Sequence, residues 1–516
     1  MINGSNITNG SNMNKNMTIN YFLKSPLQKS PKKTAIIDGD KIYSYETLEE
    51  KSSLLAAHFQ QAALQNERIA VLLPNSFELI CIYLACFKSG AILVPLEFRD
   101  APIEALHVYD DAKPKWLIIH EDKLSDLKLI ALQKTTIEKI VVVGKTINTS
   151  YKNFYDLFNI TLPLHATEFS PNTYTFLLYT SGSTGLPKGV IYSYASAAAM
   201  IASVLDALPS MTENSTFVIH DSISHIDGLL EALPQLYVGG TIVLRKNFNV
   251  ENFYHDLKNY RPSIIGAHIN HLWEIISYPD LHRDNFKSMM QLFTGGDELP
   301  LNLQQAFVDK TGLFIQVGYG MTESIWLTIT HEAYLHQGGA MGKPVNAQIK
   351  LRLVDKLGKD VASGKIGEIW VNAPMNTPGY WNNPSATFAA FENEWFKTGD
   401  SAYQDADNNY WFVGRIKQII ERNSENITPY EIEQAIFRHA AVSSVGVIGV
   451  PDVNEGQVPI AFVVLKKGKT LTEEALKKFL VNQLADYKIP AAIHFVDSLP
   501  LTKSNKLDRE ALKNYL

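Results

Sequence analysis

A chain of 516 residues exceeds what one compact core organises, so at least two domains are expected. Hydrophobic residues at 46 % and charged residues at 19 % exclude a disordered or fibrous chain. The net charge of -6 provides no global basic field for a nucleic acid.

The first 18 residues are rich in Asn, Ser, Met and Gly and have no apolar stretch, so they imply a disordered tail rather than a signal peptide. The amphipathic pattern over 45–63 predicts a helix, with Leu48, Leu55, Phe59 and Ala62 on one face and Ser44 as its cap. Strand-like runs follow at 69–73, 92–94, 116–119 and 140–143, alternating with helical stretches such as 77–88. The apolar run 79–96 is interrupted by Lys88 and Gly90, so no membrane span is expected. It contains both cysteines, Cys81 and Cys86, on different faces of the expected helix; a reduced, cytoplasmic setting fits them. A second series of strands is expected near 217–220, 242–244, 263–265, 291–293 and 314–317. Such alternation implies a parallel, doubly wound sheet. Short β runs at 349–354 and 368–371, divided by Gly and Pro turns, imply a small β-barrel. The last hundred or so residues read as a small α+β domain, with helices at 429–439 and 472–484 and strands at 443–450 and 460–465. The expected class is therefore α/β. A large N-terminal domain, 19–414, holds two doubly wound subdomains and the barrel; a small mobile domain, 415–516, follows it.

The sharpest local signal is Thr180-Ser181-Gly182-Ser183-Thr184-Gly185-Leu186-Pro187-Lys188-Gly189, directly after an apolar strand. Its glycines permit close approach of backbone to ligand, its hydroxyls and N–H groups suit phosphate oxygens, and Lys188 adds a compact charge. It is not a P-loop of the G-x-x-x-x-G-K-[ST] kind, because Pro187 and Gly189 break that pattern.

This run resembles the signature loop of the superfamily that contains acyl- and aryl-CoA synthetases, peptide-synthetase adenylation domains and luciferase. Five more segments resemble that superfamily's motifs, in the same order: His225-Ile226-Asp227-Gly228, Gly295-Gly296-Asp297-Glu298-Leu299-Pro300, Gly318-Tyr319-Gly320-Met321-Thr322-Glu323, Trp395-Phe396-Lys397-Thr398-Gly399-Asp400, and the stretch from Leu499 to Arg509. The resemblance spans nearly the whole chain. It implies an ATP-dependent enzyme that joins a carboxylic acid to AMP and passes the acyl group to a thiol, either coenzyme A or a carrier-protein phosphopantetheine. It implies that Thr180 to Gly185 and Lys188 hold phosphates, and that Gly295, Gly296, Asp297, Tyr319 and Gly320 pack on adenine. Thr322 would face the α-phosphate, Glu323 would hold Mg²⁺, and Asp400 and Arg415 would bind ribose. His225 would stand by the acyl pocket, Lys417 would be the hinge, and Lys506 the catalytic lysine. Asp227, Leu230, Phe293, Gly318, Trp326 and Leu327 match positions that line the acyl pocket in relatives.

Three residues depart from the superfamily's pattern. Tyr194 stands where many relatives have His, Asn505 replaces the glycine before the catalytic lysine, and Ser424 replaces a glycine beside the thiol tunnel. The last puts CoA as acceptor against a carrier protein. Trp326 implies a pocket shortened by bulk, and Asp227 beside it is either a site for a cationic group or a backbone partner in a pocket for ordinary fatty acids.

Overall fold

The computed structural model describes residues 19–100, 102–128, 136–145, 148, 150–180, 186–423, 425–481, 483–502 and 507–516. Ser181 to Gly185, Ser424, Asn505 and Lys506 lie outside the described residues.

Three sheets organise the chain. In the first, Lys152–Asn153, Lys139–Val143, Trp116–His120, Arg68–Leu72, Ile92–Pro95 and Tyr174–Thr180 run parallel, and Lys188–Ser193 closes the edge antiparallel. In the second, Thr34–Asp38, Thr241–Leu244, Thr216–Ile219, Ile264–Gly266, Gln291–Gly295 and Gln316–Met321 form the parallel centre. These strands are short and their central residues are mostly apolar and buried, as strands covered on both faces require.

Helices Tyr45–Gln61, Phe77–Ser89, Tyr194–Ala207 and Ile226–Tyr237 share one large core with side chains of both sheets. Each of the first three starts at a serine whose hydroxyl accepts a backbone N–H: Ser44 from Thr47, Ser76 from Leu79, Ser193 from Ser196. The helix Phe77–Ser89 ends where Gly90 adopts φ 74°, a left-handed turn. Cys81 and Cys86 are both buried and unbonded within it, as their spacing predicts.

The β region after 340 corrects one expectation. Ala340–Pro344, Tyr410–Arg415, Trp395–Gln404, Gly367–Asn372 and Lys350–Val354 pair antiparallel in an open order rather than a closed barrel, among the described residues. They join the second sheet through Ile325–Ile329. Continuity arises because the hairpin Gln316–Met321 to Ile325–Ile329 turns the parallel sheet antiparallel; a barrel motif in sequence does not specify its own closure. The third sheet starts at Ile420, after the chain leaves the second at Arg415, and carries Val442–Asp452 paired along its length with Gly456–Leu465. Helices Pro429–Phe437 and Glu473–Leu480 pack on it. No helix among the described residues is long and apolar enough to cross a membrane.

Candidate active site

Two strand ends place the first group. Gln291–Gly295 and Gln316–Met321 are parallel neighbours with Gly295 opposite Gly318, at the edge where α/β sheets present ligand sites. Beyond Met321 the chain turns through Thr322 and Glu323. Ile325, β-branched yet at φ 57°, reverses it. The reversal is tight: a β-carbon on Gly320 would stand 1.8 Å from Ile325 O. The turn is held from below, where the Tyr192 hydroxyl donates to Thr322 O and Thr377 N–H donates to Glu323 O at 2.7 Å.

Glu323 accepts a hydrogen bond from Tyr380 Oη, Oη to Oε1 2.8 Å. The Lys188 ammonium lies 5.1 Å from the centre of the same phenol ring. Lys188 pairs with Thr180 in the first sheet, and Val190 bridges to Tyr380. The Lys188 end of the hydroxyl-rich run thus meets the Thr322–Glu323 turn through one aromatic ring. Burial, and then the charge of Glu323, push the Tyr380 phenol up, so it stays a donor.

On the neighbouring strand the Tyr319 hydroxyl donates to Asp400 Oδ2 at 2.9 Å, and Arg415 Nε stands 3.3 Å from Oδ1. Asp400 is 3 % exposed and Arg415 extends to solvent. Burial raises the Asp400 carboxyl above its ordinary range, Arg415 opposes this, and the charge of Glu323 adds to it.

The residues expected to line the acyl pocket divide. Trp326 lies flat on the backbone: a β-carbon on Gly318 would meet its ring at 2.9 Å, and one on Gly295 would be 3.7 Å from its Nε1. Its ring meets Phe293 edge-on, centroids 4.8 Å apart. Leu230 and Leu327 are buried in the main core. Asp227 and His225 line a cavity of about 130 Å³ with Arg99, His220, Asp221, His268 and His271. His225 precedes the helix Ile226–Tyr237, and its Nε2 stands 3.1 Å from Glu97 Oε2, an ion-pair distance without hydrogen-bond alignment. Burial opposes the charge of Glu97, but His225 and Arg99 together hold its carboxyl well below the usual range. The loop before His225 is clamped by Asn75, which bonds Asp221 O, Arg245 O and Ile223 N–H at 2.8–3.0 Å. Gly228 lets the helix approach that loop, since its β-carbon would stand 2.5 Å from Asp221 O.

Other expected residues lie apart from these contacts. Gly296 adopts φ 77°, and Gly296 and Asp297 are exposed beyond the strand end. Glu298 turns instead to the C-terminal segment, taking the hydroxyl of Tyr430. Lys417 is exposed in the short helix Ile416–Gln418 between the second and third sheets. Tyr194 packs into the core, stacked on Phe169 at 5.1 Å with its hydroxyl on Phe87 O. Leu501 and Leu507 form a bridge on either side of Lys506, and Arg509 grips Glu433 with two bonds of 2.7 Å.

Sequence reading missed Tyr380, Glu97, Arg99, His268 and Glu231. The first four belong to no motif. Glu231 had a signal, a lone acid on the apolar stripe Leu229, Leu230, Leu233 and Leu236.

A two-sheet α/β body with cation, carboxylate and hydroxyl groups gathered at its strand ends defines a nucleotide-using enzyme. The chain belongs to the AMP-binding enzyme family: residues 23–381 match the model of that name, and residues 431–506 match the AMP-binding enzyme C-terminal domain. It is 30 % identical over 504 residues to a 2-succinylbenzoate–CoA ligase of Bacillus licheniformis, covering 95 % of this chain and 98 % of that one. It is 29 % identical to a feruloyl-CoA synthase of Amycolatopsis, covering 93 % and 95 %. The ATP-bound MatB structure from Rhodopseudomonas palustris superposes with a TM-score of 0.89 at 25 % identity, covering 97 % of this chain and 99 % of that one.

Proposed function

We infer that the protein is an ATP-dependent, AMP-forming acid–thiol ligase: it activates a carboxylic acid as acyl-AMP and transfers the acyl group to coenzyme A. A carboxylate oxygen is too poor a leaving group for direct attack by a thiol. The acid first attacks the α-phosphorus of ATP, and pyrophosphate leaves in line. The protein must align two anions and offset their charge. The observation that carries this reading is the meeting of Lys188, Tyr380 and Glu323 beside the Tyr319–Asp400–Arg415 cluster.

The resemblance, together with that arrangement, supports the following residue roles. Asp400 accepts the ribose hydroxyls, with Tyr319 and Arg415 orienting it. Lys188 and the run from Thr180 through Ser181, Gly182, Ser183, Thr184 and Gly185 take the β- and γ-phosphates. Thr322 faces the α-phosphate, as does Lys506. The single carboxylate of Glu323, fixed by Tyr380, suits Mg²⁺, a hard cation held by one or two protein oxygens together with phosphates. Bound there, Mg²⁺ would neutralise phosphate charge. Trp326 caps the pocket and favours short or compact acids. The stretch 416–419, with Lys417, serves as hinge between 19–414 and 415–516.

The test is ATP–pyrophosphate exchange across a panel of acids, followed by product analysis with CoA or with a phosphopantetheinylated carrier protein. The expected result is acid-dependent exchange and an acyl-CoA product. Ser424 favours the second acceptor, and acyl transfer to the carrier protein alone would establish that alternative. No AMP release with any acid refutes the ligase.

A further inference from the structure

Along the helix Ile226–Tyr237, Asp227, Glu231 and Gln235 stand four residues apart. Gln235 is buried and fully used: its amide donates to Ser215 O, Ser215 Oγ and Thr241 O, and its oxygen accepts from Ser215. Glu231 is equally buried, at 2 % exposure, yet among the described residues its Oε2 has no hydrogen-bond partner. Native interiors seldom tolerate this without a reason.

The position of Glu231 suggests the reason. Its Oε1 fills the space over Gly266, 2.0 Å from where a β-carbon would stand, and the same point is 2.6 Å from the edge of Phe293. Phe293 meets Trp326, and Trp326 lies on Gly318, the residue before Tyr319. A chain of packed side chains thus leads from the Tyr319–Asp400 pair along Gly318, Trp326 and Phe293 to Glu231. The cations packed around this end are already taken by other carboxylates. His268 stands 3.3 Å from Asp221. Arg99 and His225 share Glu97, and Arg245 is paired with Asp256. Burial lowers His220 and His271 to about 4, leaving both neutral at physiological pH. Asp227 and Glu231 have no cationic partner among the described residues.

We propose that the acid activated here carries a protonated amino group, received by Asp227, which lines the cavity beside His225, together with Glu231 one helical turn behind it. The proposal rests on the ligase reading and narrows its substrate class. Burial, reinforced by repulsion from Asp221 and Asp227, pushes the Glu231 carboxyl well above its ordinary range. With no cation beside it the carboxyl stays protonated, and an arriving ammonium group displaces that proton to solvent. An alkyl acid of the same shape leaves the carboxyl unpaired, so discrimination comes from the unsatisfied group.

The test compares matched acids in ATP–pyrophosphate exchange: β-alanine against butanoate, γ-aminobutyrate against pentanoate, and L-α-amino acids against their deaminated counterparts. In the wild type the better ammonium acid exceeds its partner in kcat/KM by about tenfold or more. Glu231→Gln lowers that ratio about tenfold through KM for the acid, with KM for ATP unchanged. Because a raised carboxyl pKa favours the fold below about pH 4.5 and loses that advantage as pH rises, the Tm of Glu231→Gln gains on the wild type above that pH. A lower Tm with both acids impaired alike assigns Glu231 a structural role and overturns the proposal. Exchange confined to uncharged acids also overturns it and leaves the ligase standing; exchange with no acid defeats the ligase reading itself.

Discussion

In the ligase reading, nucleotide binding turns on Asp400. Its two oxygens already face a hydroxyl and a guanidinium, so an incoming ribose meets an oriented acceptor. Asp400→Asn keeps the shape and removes the charge. Loss of charge-assisted hydrogen bonds of about 1.5–3 kcal/mol predicts a KM for ATP raised about 10- to 100-fold, measured by pyrophosphate exchange. Tyr380→Phe frees one oxygen of Glu323 without a cavity; the expected outcome is a shift of activity toward higher Mg²⁺, seen in a metal titration, with thermal stability nearly unchanged. Glu97 carries a pH signature. Its lowered carboxyl pKa adds stability above about pH 4.5 that is lost as pH falls further through the folded-state value. The stability gap between wild type and Glu97→Gln should therefore be full near neutrality and shrink on acidification in urea titrations.

At the scale of elements, the loop that delivers His225 and the helix behind it depend on Asn75 and Gly228 rather than on local propensity. A methyl group at Gly228 would press on Asp221 O, so Gly228→Ala should cost about 1–3 kcal/mol in denaturant unfolding and lower turnover with it. The strands and helices that flank the motifs were legible because apolar runs of period two or 3.6 and serine caps are local signals. The partners of those elements were not. Thr34–Asp38 lies beside Thr241–Leu244, some two hundred residues away, and no local pattern encodes that pairing. The same limit hid Tyr380, whose importance comes from folding back on Lys188 and Glu323, and the open sheet after 340, whose edges are set by the hairpin at Ile325. Motif glycines were legible as glycines, but not that Gly295 and Gly318 make room for Trp326.

At the scale of the whole molecule, the contact between the two parts combines polar groups with the edge-on meeting of Phe412 and Tyr430. Glu298 takes the Tyr430 hydroxyl, and β-carbons on Gly338 and Gly339 would strike Gln434 and Tyr430. In the proposed reading this seam parts about the hinge, so that the lysine segment would approach the phosphates and then withdraw. Lys506→Ala should abolish acyl-AMP formation while sparing thiolysis of supplied acyl-AMP; equal loss of both steps would remove the role given to Lys506. All these expectations assume that residues from Thr180 to Lys506 serve one ATP. A crystal structure with a non-hydrolysable ATP analogue measures this directly. The account predicts ribose hydroxyls on Asp400 and the triphosphate running between Lys188 and Glu323. Nucleotide bound in another cleft, or touching only one of Asp400 and Glu323, would contradict it.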